Sequence, residues 1–563
     1  MTLELNFAAL WPVLAPAFAA IAVLVLDIAW PRARTAHLWL AAAGLVGGGL
    51  ATIPALTQSP GDVAGAFCLP SGTCLYAASS LSAGLQLLAL GSALVVLVLT
   101  WSQWGRAGRG SGTSAPTVVL VALFLAATAG VVAVPAARDL GTLLVALELA
   151  TLPVVGLVAL ERRASRHAGA VAGAVALLTT SLVSFALLAL GAALWVAATG
   201  TALLDPVAAA EAAAVPERSA LLLLSAVLVL AGLGFKLSTV PFHAWTPLTY
   251  ASAPLPVTTY LAGTSKVAAL GGMIVLVQAL AGTSSFALVA VAVLAALTMT
   301  LGNTMALRQD DLVHLLAWSA VAQAGWLMLP LASLSSRAVH AAGGYLAVYV
   351  VATVLAFVVV IAVAQRPGGG TALADHRTLS RRQPLTAAAL GLALLTLAGL
   401  PPAIIGLVAK VVVLRPVAAD GTWWLLVVAA LNIALGIAVY VRWLAALIER
   451  VPAGAEVVPV GAEPLPVGAE RAPTDAERAP AGAEPIPGGA EPIPAGAETA
   501  SAESAGAEDD AGSVLDHTLP TTHSRTTAAP AHAAYVMPWT HRVLIGVLAA
   551  LLLLGSIAPV GIF

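Results

Sequence analysis

Residues 231–270 read AGLGFKLSTVPFHAWTPLTYASAPLPVTTYLAGTSKVAAL. Two apolar runs meet in this stretch, interrupted by Pro241, Pro247, Pro254 and Pro256. Each run carries one lysine, Lys236 in the first and Lys266 in the second. A lysine at the centre of an inserting helix costs about 2.5–3.5 kcal/mol, so such residues face a bundle interior or a water path. Lysine also changes protonation readily when desolvated, which suits it to proton carriage. A proline-broken helix beside an intramembrane charge holds where neighbouring helices or side chains satisfy the freed backbone. The stretch therefore predicts ion-handling machinery within a membrane.

The chain has 563 residues, of which 60% are hydrophobic and only 9% charged, and its mean hydropathy is +0.97. Soluble domains carry about 25% charged residues, so the expected class is an all-α polytopic membrane protein. The net charge of −2 identifies no partner, because an acidic insert dominates it. No phosphate-cradling glycine loop, CxxC pair, His-x-x-x-His motif or Ser–His–Asp arrangement is evident, which argues against nucleotide, metal and hydrolase chemistry. No basic segment precedes the apolar run of MTLELNFAAL, so that run is expected to remain as a span.

Apolar runs of about 20 residues cross a bilayer as helices. Fourteen are expected, near 8–30, 36–56, 80–102, 115–135, 139–160, 169–199, 219–247, 254–281, 284–306, 311–333, 339–365, 384–415, 422–448 and 541–560. Short-loop arginines set their orientation. Loops after odd-numbered spans hold Arg32 and Arg34, Arg106 and Arg109, Arg162, Arg163 and Arg166, Arg308, then Arg366, Arg377, Arg381 and Arg382. Loops after even-numbered spans hold Arg138, Arg218, Arg337 and Arg415, one at a time. Odd loops are thus expected in the bacterial cytoplasm, with both termini outside the plasma membrane. Cys68 and Cys74 then lie in an outer, oxidising loop, where a disulfide staple and two unpaired thiols are both open.

From Arg450 to about Pro538 the composition changes. Gly-Ala-Glu triplets, from Gly454-Ala455-Glu456 to Gly496-Ala497-Glu498, recur every seven residues, with Asp475-Ala476-Glu477 among them. The period invites a coiled coil, but prolines such as Pro464, Pro466, Pro485 and Pro487 break any helix. A disordered, self-repelling cytoplasmic linker is expected. The expected organisation is a three-helix segment (1–112), two repeats (113–282 and 283–450), the linker (451–538) and a last span (539–563). A weak internal match, Ala231-Gly232-Leu233 with Ala398-Gly399-Leu400, lies beside prolines and a lysine in both places, five spans apart. An odd separation inverts the second copy, the architecture of many transporters.

Four ionisable residues sit inside apolar runs: Glu148 in the fifth span, Lys236 in the seventh, Lys266 in the eighth and Lys410 in the twelfth. Three lysines against one glutamate leave a charge mismatch that simple pairing does not resolve. Desolvation disfavours a charged amine while a nearby carboxylate favours it, so moving a carboxylate loads or unloads a proton, and such sites titrate as a coupled set. Ser238, Thr239, His243, Thr264, Ser265, His314, Ser319 and Gln323 are candidates to bridge them, although a lone histidine is more often structural.

These residues also carry a resemblance. ELATLPVVGLVAL from Glu148, FKLSTVPFHAWTP from Phe235, APLPVTTYLAGTSKVAALG from Ala253, LVHLLAWSAVAQAGW from Leu312 and LAGLPPAIIGLVAKVVVL from Leu397 resemble the subunit N family of bacterial NADH–quinone oxidoreductase, respiratory complex I. The resemblance covers roughly residues 80–450, and its most specific motif is FKLSxVPFHxWTP. It implies two inverted five-helix repeats, spans 4–8 and 9–13, with the seventh and twelfth broken. It further implies a Glu148–Lys236 pair, Lys266 as central relay and Lys410 as the terminal lysine opening outward. No cofactor is expected in this chain; NADH, FMN, iron–sulfur clusters and quinone would belong to partner subunits, and no nucleic acid is expected. Lysine at 266 and 410, where sister subunits carry histidine and glutamate respectively, favours this family. The chain departs from the family pattern at Leu248 and Ser252, which replace an acid and a glycine, and at Val313, His314 and Gln323, which puts the cytoplasmic access route in question. The alternative is a subunit of a multisubunit cation/proton antiporter; a purely structural scaffold would tolerate neutral residues at 236 and 266.

Overall fold

The structure is a computed structural model that describes residues 6–30, 34–59, 61–69, 72–104, 117–160, 167–281, 283, 286–333, 335–449 and 537–558. Apolar sequence without competing polar periodicity becomes helix almost throughout, since in lipid the helix satisfies its own backbone. The principal elements are α1 (Phe7–Ala29), α2 (Arg34–Ala51), a hairpin of β1 (Ala64–Cys68) and β2 (Cys74–Ala78), α3 (Ser80–Trp104), α4 (Thr117–Ala133), α5 (Leu140–Ala159) and α6 (His167–Thr199). There follow α7 (Pro216–Leu237), α8 (Trp245–Ser252), α9 (Leu255–Ala262), α10 (Thr264–Ala279), α11 (Phe286–Ala306), α12 (Leu312–Met328) and α13 (Ser336–Ala364). The last are α14 (Pro384–Ala398), α15 (Ile404–Ala419), α16 (Trp423–Ile448) and α17 (Trp539–Ile557).

Among the described residues, thirteen helices are long and apolar enough to cross a membrane. The remaining expected crossing, the twelfth at 384–415, is the broken pair α14 and α15. The seventh is broken as expected, between α7 and α8. The eighth carries an unexpected interruption at Gly263, between α9 and α10. The two-stranded hairpin was also not expected; Cys68 and Cys74 face each other in it and form a disulfide. The linker expected over 451–538 lies outside the described residues, apart from Met537 and Pro538 leading into α17.

Burial does not follow hydrophobicity among the spans, because lipid is as apolar as the bundle interior: Leu255–Ala279, which carries Lys266, is at the centre. Leu255–Ala279 is 94% buried and Arg337–Ala364 is 89% buried, against 33% for Thr35–Leu56 at the periphery.

Two local structures recur and define the repeats. Asp139 caps α5 by accepting from Thr142 N–H, and Asp311 caps α12 by accepting from Val313 and His314 N–H. Each start is tied by a single β-bridge to the loop after the next span: Leu140 N–H to Ala202 O and Leu204 N–H to Arg138 O, then Leu312 N–H to Thr371 O and Leu373 N–H to Asp310 O. The breaks recur too. α7 ends with Ser238 left-handed at φ 73°, its N–H on Phe235 O and the Thr239 N–H on Gly234 O. α14 ends with Gly399 at φ 77°, its N–H on Thr396 O and the Leu400 N–H on Leu395 O. Both are Schellman ends, and three residues later each has a cis proline, Pro241 and Pro402. This register pairs Ser238 with Gly399, and so corrects the match of Gly232 to Gly399 expected from sequence.

Candidate functional site: a lysine path between two broken helices

The break after Leu237 leaves carbonyls at a helix C-terminus, where the helix dipole favours a cation. Lys266, fully buried on α10, fills that place. Its Nζ donates to Leu237 O at 2.9 Å and to the Ser238 hydroxyl at 2.7 Å. It also lies 5.6 Å from the Trp245 ring, within cation–π range. Thr246 donates to the same Ser238 oxygen at 2.6 Å.

Lys236, in the last turn of α7, points the other way. Its Nζ donates to Glu148 Oε1 at 2.9 Å, Thr151 Oγ1 at 2.9 Å and Ser181 Oγ at 3.3 Å, while Ser181 donates to Glu148 Oε2 at 3.3 Å. The Lys236 and Glu148 side chains are only 10% and 15% exposed, so the ion pair is dry and hydrogen-bonded on both partners. Removing one member of such a pair costs about 3–5 kcal/mol, because the other stays buried and uncompensated. Between Lys236 and α10 lies a cavity of about 40 Å³, lined by Thr151, Ser181, Ser184, Lys236, Trp245 and Ser265. Most of its wall is apolar, from residues such as Leu147, Val154, Leu177, Phe235 and Leu261.

Lys410 occupies different surroundings. It is buried, its Nζ stands 4.7 Å from the Trp326 ring, and its stem lies where a Cβ on Gly399 would sit. Trp326 stacks on Tyr345, whose hydroxyl donates to Gln323 Oε1 at 2.6 Å. Gln323 Nε2 donates to Tyr440 OH at 3.0 Å, and Ser319 shares a 2.6 Å hydrogen bond with the same hydroxyl. Tyr349, one turn beyond Tyr345, donates to Ala262 O at the Gly263 interruption.

Of the residues predicted from sequence, the structure brings together Glu148 with Lys236, Lys266 with Ser238, and Ser319 with Gln323. Ser265 lines the cavity but donates to its own helix at Leu261 O. His243 packs on Trp318 at 5.3 Å, has an unpartnered buried Nδ1, and makes no hydrogen bond to the lysines. His314 stands partly exposed in the first turn of α12, 3.2 Å from Asp311 Oδ1. Asp311, His314, Val313, Thr371, Leu248 and Ser252 line one pocket of about 370 Å³, so four of the five departures from the family pattern converge on one place. Gln323 lies apart from them with Tyr345 and Tyr440. Burial acts to raise the Asp311 carboxyl, but hydrogen bonds from His314 and Thr371 outweigh it and hold the group below its usual range.

Sequence reading missed Thr151, Ser181, Tyr345, Tyr349 and Tyr440. Thr151, one turn after Glu148 on the same face, was detectable by helical spacing; Tyr345 and Tyr349 are spaced likewise.

Known proteins resemble this chain in sequence and fold. Residues 137–436 match the family described as NADH:quinone oxidoreductase/Mrp antiporter, TM. NADH-quinone oxidoreductase subunit N 2 of Streptomyces griseus is 39% identical over 460 residues, covering 79% of this chain and 84% of the relative. Subunit N of Salinispora tropica is 39% identical over 456 residues, covering 78% and 84%. A chain of respiratory complex I from Thermus thermophilus, solved with bound aureothin, superposes with a TM-score of 0.63 at 28% identity, covering 78% of this chain and 90% of that one. A chain of the Mrp complex from Dietzia shares the fold, with a TM-score of 0.68 at 22% identity and coverage of 78% and 80%. The chain belongs to the NADH-quinone oxidoreductase subunit N family of antiporter-like, proton-translocating membrane subunits.

Proposed function

We propose that this chain moves protons through Glu148, Lys236, Lys266 and Lys410 as the membrane part of a respiratory complex of the NADH:quinone oxidoreductase type. NADH, FMN, iron–sulfur clusters and quinone are handled by partner subunits, and this chain contributes no redox centre. The observation that carries the reading is the pair of cations at one broken helix: Lys236 on a carboxylate and Lys266 on the exposed helix terminus. Drawing Glu148 away leaves the Lys236 charge unsupported, and its proton moves on; returning the carboxylate reloads it.

Loop charges support a cytoplasmic face for the Asp311–His314 pocket and both termini outside, and the Cys68–Cys74 disulfide suits that outer side. From the pocket, Ser252, Thr249 and Thr246 follow at every third residue of α8 and end at the Ser238 hydroxyl under Lys266. This hydroxyl row is the uptake route, with Asp311 and His314 at its mouth. Lys410, held by a ring rather than a carboxylate, releases protons outward.

Purification of the tagged protein from its native membrane in mild detergent tests the assembly. NADH:quinone activity with flavin and iron–sulfur absorbance in the eluate is the expected result. Small hydrophobic partners without redox centres would favour the cation/proton antiporter reading instead.

A further inference from the structure

We infer that the groove between α14, α16 and α17 binds an anionic phospholipid, its headgroup at Arg542 and its acyl chains running inward to Pro402. The groove encloses about 1100 Å³. Leu395, Leu447, Ile545, Ala549 and Leu553 form its walls, and its polar groups are few: Ser380, Gln383, Thr386 and Arg542, with Met537 beside them. Ser380 and Gln383 precede α14, and Arg542 stands in the first turn of α17, so the polar groups gather at one end. From Arg542 to Leu553 the wall runs about 16 Å along the helix axis. A molecule that fits has an anionic head and a long apolar tail.

The charge at that end is one-signed. Arg542 Nε donates to Met537 O at 3.1 Å, which leaves both Nη groups without a protein partner among the described residues. Arg381 and Arg382, exposed in the turn before α14, add two more cations. The nearby carboxylate, Glu449, is already engaged with Arg377 at 3.0 Å. Basic pockets between membrane helices recognise anionic lipid headgroups on the cytoplasmic side; the side rests on the loop charges used above, while the site does not. The inner end matters to the transport path. Pro402 belongs to the break between α14 and α15, three residues after Gly399, on which the Lys410 stem lies. A bound acyl chain therefore packs against the hinge of the second broken helix.

The test counts phospholipid retained by the chain, purified with its native partners, after washing in phosphatidylcholine-containing detergent and titration with phosphatidylglycerol, by mass spectrometry of the intact assembly. The wild type is expected to keep one phosphatidylglycerol per chain. Arg542→Gln is expected to lose its preference over phosphatidylcholine at least fivefold, and Arg542→Lys to retain most of it. Gly546 lines the groove and has open space where a Cβ would stand, so Gly546→Phe fills the groove without disturbing packing and is expected to retain neither lipid. Phosphatidylglycerol retention in Arg542→Gln and Gly546→Phe equal to that of the wild type overturns the site, as does a cysteine at 546 that cross-links to a partner subunit. Because the readout is bound lipid, it is independent of whether the chain pumps protons.

Discussion

The two broken helices share a backbone and differ in charge. Both end in a Schellman turn and continue through a cis proline at the same register. In the first, Lys236 stands two residues before the cap and meets Glu148; the equivalent place in the second is Leu397. In the second, Lys410 stands eleven residues after the cap; the equivalent place in the first is Thr249. One copy holds its cation with a carboxylate and two hydroxyl-bearing neighbours, the other with an aromatic face. On the function proposed above, the same fold element serves as a holding site in one half and a release site in the other.

Breaking the carboxylate side gives the largest effect. Glu148→Gln leaves a buried ammonium with neutral partners, and proton translocation by the purified complex in vesicles is expected to fall more than tenfold. Gly399→Ala comes next: a left-handed residue with a Cβ costs about 1–2 kcal/mol, and that Cβ also meets the Lys410 stem. Lower thermal stability and slower transport are expected together, whereas Ser238 shows that the first break tolerates a side chain at the equivalent cap. Ser238→Gly keeps the positive φ and removes the side chain that carries the hydroxyl under Lys266, so transport should drop several-fold. Relief of the left-handed strain offsets part of the lost hydrogen bonds in stability.

A smaller effect concerns the rim. His376 is fully buried beside Trp443, with neither ring nitrogen hydrogen-bonded among the described residues. Burial, and then the Arg366 charge, push its pKa down from 6.5 to about 3. The unfolded chain therefore binds the extra proton first. The contribution of His376 is complete above pH 6.5 and is lost as pH falls towards 3, at about 1.4 kcal/mol per pH unit. His376→Phe should flatten that acid limb of the thermal stability curve.

The charged part of the site was legible because a lysine or glutamate inside an apolar run has few ordinary explanations. The breaks were legible where prolines mark them. The interruption at Gly263 was not, since Gly-Thr-Ser continues a helix as readily as it stops one. The repeat register failed because glycines do different jobs. Gly232 lets α7 approach α6, where a Cβ would meet the Leu188 side chain and Ser184 O, whereas Gly399 is needed for its positive φ. The tyrosine chain around Gln323 was hidden because its members are 117 and 22 residues away from it in sequence. Spacing along one helix reveals neighbours on that helix, and says nothing of a hydroxyl arriving from another.

The most direct test is Lys266→Met in the whole complex reconstituted into vesicles, scoring protons moved per NADH oxidised. The substitution leaves the Leu237 carbonyl and the Ser238 hydroxyl without their cation while preserving bulk. The predicted result is a clear fall in protons per NADH, with NADH oxidation by an artificial acceptor intact. An unchanged ratio would contradict the lysine path.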